Sequence, residues 1–394
     1  MPRHRPGNAQ EVRALVLDAL ADGTRLQIEG GASKRALHAP VSAEAILDTS
    51  GLSGVLDYDP EELVIRVQAG TPLAEIEAVL AERQQMFAFD PFDHALWCAG
   101  SAARATIGGI VAANVSGPRR VSSGAARDHL LGFTAVSGRG EVLKGGGAVV
   151  KNVSGFDLPK LMAGSFGTLA VLTSLTLRVV PRPRTEQSLR FWGLSEPDAN
   201  RLMTSALATP AAVSAAAHLP AIGASQAQTL LRLEGFGPSV EARALLLERQ
   251  LEPFGPAERV AEQESRQAWR GVSTLESLPR EGSVWWRVCV PPAGGFKVRR
   301  ALAEQGLPGL YDWGGGLVWL AVPQEAPATL GERIRLEARR LGGHASCVAA
   351  HSTRAPRASS TASPLQALHE RVKAAFDPRG VLNPGIDLAA ELEH

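Results

Sequence analysis

Apolar residues Val12, Leu15, Val16, Ala19 and Leu20 recur at helical spacing between Asn8 and Gly23, which predicts a capped amphipathic helix over 9–21. Leu26–Glu29 reads as a short strand that runs into Gly30-Gly31-Ala32-Ser33-Lys34. Leu63, Ile65, Val67 and Ala69 then alternate with other residues at the two-residue period of a strand. Gly70-Thr71-Pro72 follows as a turn, an N-cap and a first-turn proline. The helix it opens, over 72–84, buries Leu73, Ile76, Val79 and Leu80. Leu130–Ser137 and Glu141–Lys144 bracket Gly138-Arg139-Gly140 as a hairpin. The uncharged run Leu161–Leu177 nears membrane-spanning length, but Gly164, Gly167 and interspersed Ser and Thr predict a turn and a buried strand.

Pro181-Arg182-Pro183-Arg184 marks a boundary, because two prolines withhold ladder donors and stiffen the chain. Beyond it the pattern becomes strand, helix, strand, strand, helix. Strands are expected near 187–193, 213–218 and 229–235, with helices near 196–208 and 239–252. A similar unit follows over 284–349, with helices near 296–305 and 328–341, so this region reads as two ferredoxin-like halves. Arg354–Pro364, rich in Ala, Ser, Arg and Pro, is expected to be a mobile loop before a helix over 365–376. The fold class is α+β, with domains expected at 1–182 and 183–352 and a C-terminal segment, 353–394, returning to the first.

A length of 394 residues suits two domains, and 45% hydrophobic with 21% charged residues is ordinary globular composition. Balanced charge, 41 basic against 40 acidic residues, gives no field that would recruit nucleic acid or an anionic membrane. Met1-Pro-Arg-His-Arg-Pro lacks the apolar core of a secretory signal. Cys98, Cys289 and Cys347 are widely spaced, cannot hold an iron–sulfur cluster alone, and fit a reducing compartment. Asn114-Val-Ser and Asn152-Val-Ser are then chance matches to a glycosylation acceptor, and a cytoplasmic protein is expected.

Candidate chemistry concentrates between Cys98 and Pro181, where glycines, small hydroxyl residues and cations alternate with strand-forming runs. Such a stretch suits backbone that presses against a large, doubly anionic cofactor. Gly30–Lys34 follows a strand; glycines can take left-handed angles so that successive N–H groups converge on one anion, with Ser33 and Lys34 adding a hydroxyl and a charge. The alternative is a plain turn. Thr106 can cap a helix from Ile107, with Gly108 and Gly109 leaving its first turn bare for phosphate; close helix–sheet packing explains the same glycines. Arg119, Arg120, Arg127 and Lys151 can hold a pyrophosphate or a carboxylate, or else form salt bridges with Asp128 and Asp157. No Rossmann or P-loop fingerprint is present, His344 and His351 read as structural rather than metal-binding, and no nucleophile elbow occurs.

Taken together, Gly30-Gly-Ala-Ser, Ala69-Gly-Thr-Pro, Thr106-Ile-Gly-Gly, Ser116-Gly-Pro-Arg-Arg, Arg127-Asp, Lys151-Asn-Val-Ser-Gly-Phe-Asp, Gly164-Ser-Phe-Gly-Thr-Leu and Asn383-Pro-Gly resemble the FAD-linked oxidases of the vanillyl-alcohol oxidase type. Within them the pattern is most similar to FAD-binding subunits of glycolate-oxidising complexes. The resemblance is dense over 26–181, thin through the middle, and returns at Leu341-Gly-Gly-His and 368–385. It implies a PCMH-type FAD-binding domain of two α+β subdomains followed by a cap domain. It also implies a cofactor set of Gly30, Gly31, Ala32, Ser33, Lys34, Thr106, Gly108, Gly109, Ala113, Ser116 and Gly117 at the pyrophosphate. Gly167 and Val171 would lie by the adenine–ribose half, and Asn383 near the flavin. The first loop lacks the histidine to which some relatives attach FAD, so noncovalent binding is expected.

Two departures shape the functional expectation. The Gly-Asp-Gly-Asn-x-His metal and base motif of catalytic hydroxyacid dehydrogenases is missing, and Ile386 follows Asn-Pro-Gly where a basic residue is expected. The resemblance therefore implies a subunit in electron transfer or assembly, with substrate oxidation on a separate catalytic flavin subunit, an iron–sulfur subunit as third partner, and any contact with the inner membrane made through them. The rivals are a self-sufficient FAD-dependent 2-hydroxyacid oxidoreductase using Arg119, Arg127 and Lys151 with His94 or His129 as base, and a scaffold without cofactor.

Overall fold

The computed structural model describes residues 1–37, 41–93, 104–147, 157–223, 225–348 and 364–386. His94, Cys98, Lys151, Asn152, His351 and residues 354–363 lie outside the described residues. The chain divides into two units: Met1–Ser116 with Gly124–Arg182 and the C-terminal segment 364–386, and Gly117–Ser123 with Pro183–Val348.

In the first unit, β1 (Arg3–His4), α1 (Ala9–Asp22), β2 (Leu26–Glu29) and β3 (Ala45–Asp48) form a small parallel subdomain in which β3 lies between β1 and β2. Asn8 caps α1 as the pattern predicts, its side chain accepting from the amides of Gln10 and Glu11, and Gly23 ends the helix at φ +70°. Val12, Val16, Leu26, Leu47, Val136 and Val171 pack together there. The second subdomain holds β4 (Val55–Asp59), β5 (Val64–Gln68), α2 (Leu73–Glu82), β6 (Gln85–Met86) and α3 (Ile107–Ala112). After α4 (Arg120–Ser123), which goes with the other unit, come α5 (Ala126–His129), β7 (Leu130–Ser137), β8 (Val142–Gly146), α6 (Leu158–Met162), β9 (Ala170–Arg178) and β10 (Val180–Pro181). Strands β4-β5-β9-β7-β8 make one antiparallel sheet, with β7 and β8 as the expected hairpin. Residues 161–177 become a helix end, a turn and a buried strand, and no helix among the described residues is long and apolar enough to cross a membrane.

One local expectation fails. Helix α2 starts at Leu73, and Thr71 does not cap it. The Thr71 hydroxyl instead donates to the Gln68 carbonyl (2.7 Å) and receives the Gly54 amide (3.0 Å), so it braces the turn before the helix.

The second unit is built on one eight-stranded antiparallel sheet. Its strands and helices are β11 (Thr185–Trp192), α7 (Glu196–Leu207), β12 (Ala215–Leu219), β13 (Gln228–Gly235), α8 (Gly237–Gln250), β14 (Glu258–Val260), α9 (Glu262–Ser273), β15 (Ser283–Cys289), α10 (Gly295–Ala301), β16 (Gly309–Asp312), β17 (Leu317–Pro323), α11 (Ala328–Arg340) and β18 (His344–Val348). The order β14-β11-β13-β12-β16-β17-β15-β18 is two βαββαβ units joined edge to edge through β12 and β16, where His218 pairs with Tyr311. The ferredoxin-like repeat read from the sequence is thus present twice, and helices α7, α8, α10 and α11 cover a shared core that includes Leu231, Trp286, Val318 and Ile334.

The chain ends, among described residues, with α12 (Pro364–Phe376) and a return to the first unit. Leu382 bridges Leu26 in parallel, extending the small sheet beyond β2. The buried Asp377 carboxylate accepts the amides of Val381 and Leu382 (both 2.9 Å) and pairs with Lys373 Nζ (2.5 Å), which also donates to the carbonyls of Thr168 and Leu382.

Candidate cofactor site

The loop after β2 and the start of α3 meet at one cleft. Gly30, Gly31, Ala32, Ser33, Lys34, Thr106, Gly109, Ala113 and Asn383 all line it, along with Ile28 and Phe166. Nine of the predicted positions therefore come together although 353 residues separate the first from the last.

The glycines act by allowing close approach. A Cβ on Gly31 would lie 1.6 Å from the Arg104 carbonyl oxygen, and one on Gly30 would lie 2.4 Å from Thr106 Oγ1. The left-handed residue of the loop is Ala32, at φ +55°, so the expectation that the glycines supply that angle is corrected. Ala32 in turn bridges Arg104. The two segments are thereby locked together side by side.

Helix α3 separates its two glycines. A Cβ on Gly108 would sit 2.6 Å from the Ala69 carbonyl oxygen, so Gly108 serves helix–sheet packing and does not line the cleft. Gly109 faces the cleft: its Cβ would lie 3.8 Å from Lys34 Nζ. The expectation of bare first-turn amides also fails. Ile107 N–H donates to Thr71 O, Gly108 N–H to Ala69 O (2.7 Å), and Gly109 N–H reaches the capping Thr106 Oγ1 (3.4 Å). The helix start contributes shape and dipole to the cleft rather than spare donors.

Charge enters through Lys34. Its ammonium is buried beside Ser33 Oγ (3.1 Å), and burial pushes it from its ordinary 10.5 down to about 8, opposed by the charge of Asp93. The neighbouring acid, Glu29, is neutralised by Arg3 (3.1 Å) and Arg35 (2.7 Å) instead. A buried ammonium facing a bare glycine calls for an anionic ligand. The half-open cleft has a volume of about 80 Å³, room for a phosphate-sized group against its floor.

The other predicted positions are occupied differently. Ser116 Oγ accepts the Ala126 amide (3.0 Å). Gly117 belongs with the second unit, where its carbonyl accepts Trp313 Nε1–H (3.1 Å). Gly167, at φ +67°, packs against Ile28 and Asn383, and Val171 is buried in the core beside Val136. Asn383 lines the cleft but spends its side chain as a staple, Oδ1 accepting from Ile28 N–H and Nδ2 donating to Phe166 O (both 2.7 Å). Arg119 is paired with Glu234 (2.9 Å), and Arg120 lies 4.4 Å over the Trp313 ring. Arg127 sits 3.9 Å from Asp128, while Asp157 pairs with Lys160. His129 is buried against Phe89, and burial together with Arg287 and Arg120 holds His344 down at about 4. The Asn383 staple and the bond from Lys373 to the Thr168 carbonyl were not legible in the sequence, because each spans more than 200 residues.

A family profile described as "FAD binding domain" matches residues 4–146, which include the glycine loop after β2 and helix α3. Over 380 residues the chain is 36% identical to glycolate oxidase subunit GlcE of Escherichia coli (strain K12), covering 96% of each protein. It is 30% identical over 224 residues to glycolate oxidase subunit GlcD of Bacillus subtilis (strain 168), covering 56% of this chain and 44% of that one. In fold it is similar to alkyldihydroxyacetonephosphate synthase, with a TM-score of 0.69 at 16% identity over 97% of this chain and 75% of that one. The chain belongs to the GlcE family of FAD-binding proteins.

Proposed function

We propose that this chain is the FAD-binding subunit of a glycolate (D-2-hydroxyacid) dehydrogenase or oxidase complex. The observation that carries the cofactor assignment is the buried Lys34 ammonium facing Gly109 across the cleft. In this reading the Lys34 ammonium and Ser33 hydroxyl hold the pyrophosphate, Gly30 and Gly31 keep the loop pressed on Arg104 and Thr106, and Asn383 fixes the wall made by Ile28 and Phe166. FAD bound there supplies a two-electron acceptor. With no histidine in 30–34, binding is noncovalent.

The chain's part is electron transfer or assembly, and substrate oxidation takes place on a GlcD-like flavin subunit, with an iron–sulfur subunit completing the complex. The commitment of Arg119 to Glu234 supports this, because a self-sufficient enzyme would need that guanidinium for a substrate carboxylate. Such an assembly would work in the cytoplasm and meet the inner membrane only through its partners. The test is anaerobic flavin reduction by glycolate, measured on the isolated FAD-loaded chain and on the co-purified assembly. Rapid reduction only in the assembly is expected; equal turnover by the isolated chain overturns the division of labour.

A further inference from the structure

A half-open cavity of about 600 Å³ lies in the second unit. That is within the roughly 300–1,000 Å³ typical of small-molecule sites. Phe296, Leu302, Leu307, Leu320, Pro220 and Pro308 give it apolar walls, and Glu196, Arg299 and Arg300 are its charged residues.

The guanidinium of Arg299 is set in place. Its Nε donates to Glu196 Oε1 (3.0 Å) and its Nη1 to the Leu307 carbonyl (3.1 Å), and Nη2 forms an ion pair with the same Glu196 oxygen (2.9 Å). Tyr311 O–H donates to the other Glu196 oxygen (2.5 Å), and Gly309 leaves room for the group, since a Cβ there would lie 2.3 Å from Nη1. Glu196 thus has both oxygens occupied. Of the five N–H donors of a guanidinium, those hydrogen bonds use the one on Nε and one on Nη1, and Nη2 keeps only its ion-pair contact with Glu196 among the described residues. Arg300, next in the chain and exposed, adds a second positive charge at the cavity. An ion pair alone would serve to hold α7 to α10, but it would not require apolar walls around an open volume.

We infer that this cavity is a binding site for a small amphipathic monocarboxylate, whose carboxylate meets Arg300 beside the Glu196-paired Arg299 and whose apolar body fills the space between Phe296, Leu302 and Leu320. It is separate from the flavin chemistry and suits an effector rather than a short hydroxyacid substrate, which has no apolar body to bury.

The probe is octanoate, titrated calorimetrically into the FAD-loaded chain, with 1-octanol and glycolate as controls. One saturable octanoate site per chain is expected, with octanol at least tenfold weaker and glycolate silent. Arg300→Gln, at an exposed position, should weaken octanoate about tenfold, the effect of one charge-assisted contact. Ala303→Trp, filling the cavity from its exposed rim, should abolish binding, and both variants should keep full FAD content. Absence of saturable octanoate binding to the wild type, equal affinity for octanoate and octanol, or wild-type binding by a folded Ala303→Trp overturns the proposal.

Discussion

Replacing Lys34 by methionine separates stability from cofactor binding in opposite directions. In the free protein the ammonium is buried, and burial lowers it from 10.5 to about 8. At about 1.36 kcal/mol per pH unit, keeping it charged at pH 7 costs roughly 3 kcal/mol of folding stability. The sign follows from proton binding. The unfolded chain holds this proton up to about 10.5 and the folded one only to about 8, so the cost is full below pH 8 and fades as pH rises to 10.5. Methionine is similar in length and uncharged, so apo Lys34→Met should be about 3 kcal/mol more stable than apo wild type at pH 7. The gap should shrink to near zero by pH 10.5. On the proposed function, the same change removes a charge-assisted contact to the pyrophosphate, worth about 1.5–3 kcal/mol, or roughly 10- to 150-fold in FAD affinity. Urea unfolding of apoprotein at several pH values and flavin fluorescence titration read the two effects. A variant that is less stable, or that binds FAD as tightly as wild type, refutes the reasoning.

Other substitutions test neighbouring parts of the account. Gly109→Asp should fold normally, because an acid three residues after the Thr106 cap favours the helix start, while its carboxylate pairs with Lys34 and expels FAD; far-UV CD and bound-flavin absorbance check both. Burial holds His218 down at about 4, against the unfolded value near 6.5, although Glu196 opposes the shift. Its contribution is therefore intact above pH 6.5 and lost as pH falls towards 4, roughly 3 kcal/mol in all, and His218→Gln should flatten the melting temperature over that range. Burial raises the Glu234 carboxyl, but Arg119 and Arg232 outweigh it and hold it at about 2. Glu234→Gln removes the carboxylate that faces two largely buried guanidiniums and should cost about 3–5 kcal/mol in calorimetry. Lys373→Met leaves the buried Asp377 carboxylate unpaired, so the segment after α12 should exchange amide hydrogens faster before the rest of the unit does.

Local signals were legible where one residue type has one job. Asn8 and Gly23 bound α1, Thr106 opens α3, and Gly138-Arg139-Gly140 turns the β7–β8 hairpin, because caps and turns are decided within four residues. The doubled βαββαβ pattern was readable from its periods for the same reason. Strand β3 was not, since Ala45–Asp48 is buried throughout between two parallel neighbours and shows no alternation. The cleft was found through its glycines, but their division of labour was hidden. Gly108 and Gly109 are adjacent and identical in sequence, and only Ala69 on one side and Lys34 on the other tell packing from binding. The fate of Arg119 was equally invisible, because its partner Glu234 lies 115 residues away on β13.

The claim that everything else depends on is that the 30–34 loop and Gly109 grip the diphosphate of FAD. Comparing FAD with riboflavin, which lacks the pyrophosphate, measures that grip directly in equilibrium titrations of the apoprotein. FAD should bind wild type at least a hundredfold more tightly than riboflavin, and the difference should collapse in Gly109→Asp. Equal affinities in the wild type, or a preference for FAD that survives the substitution, would contradict the account.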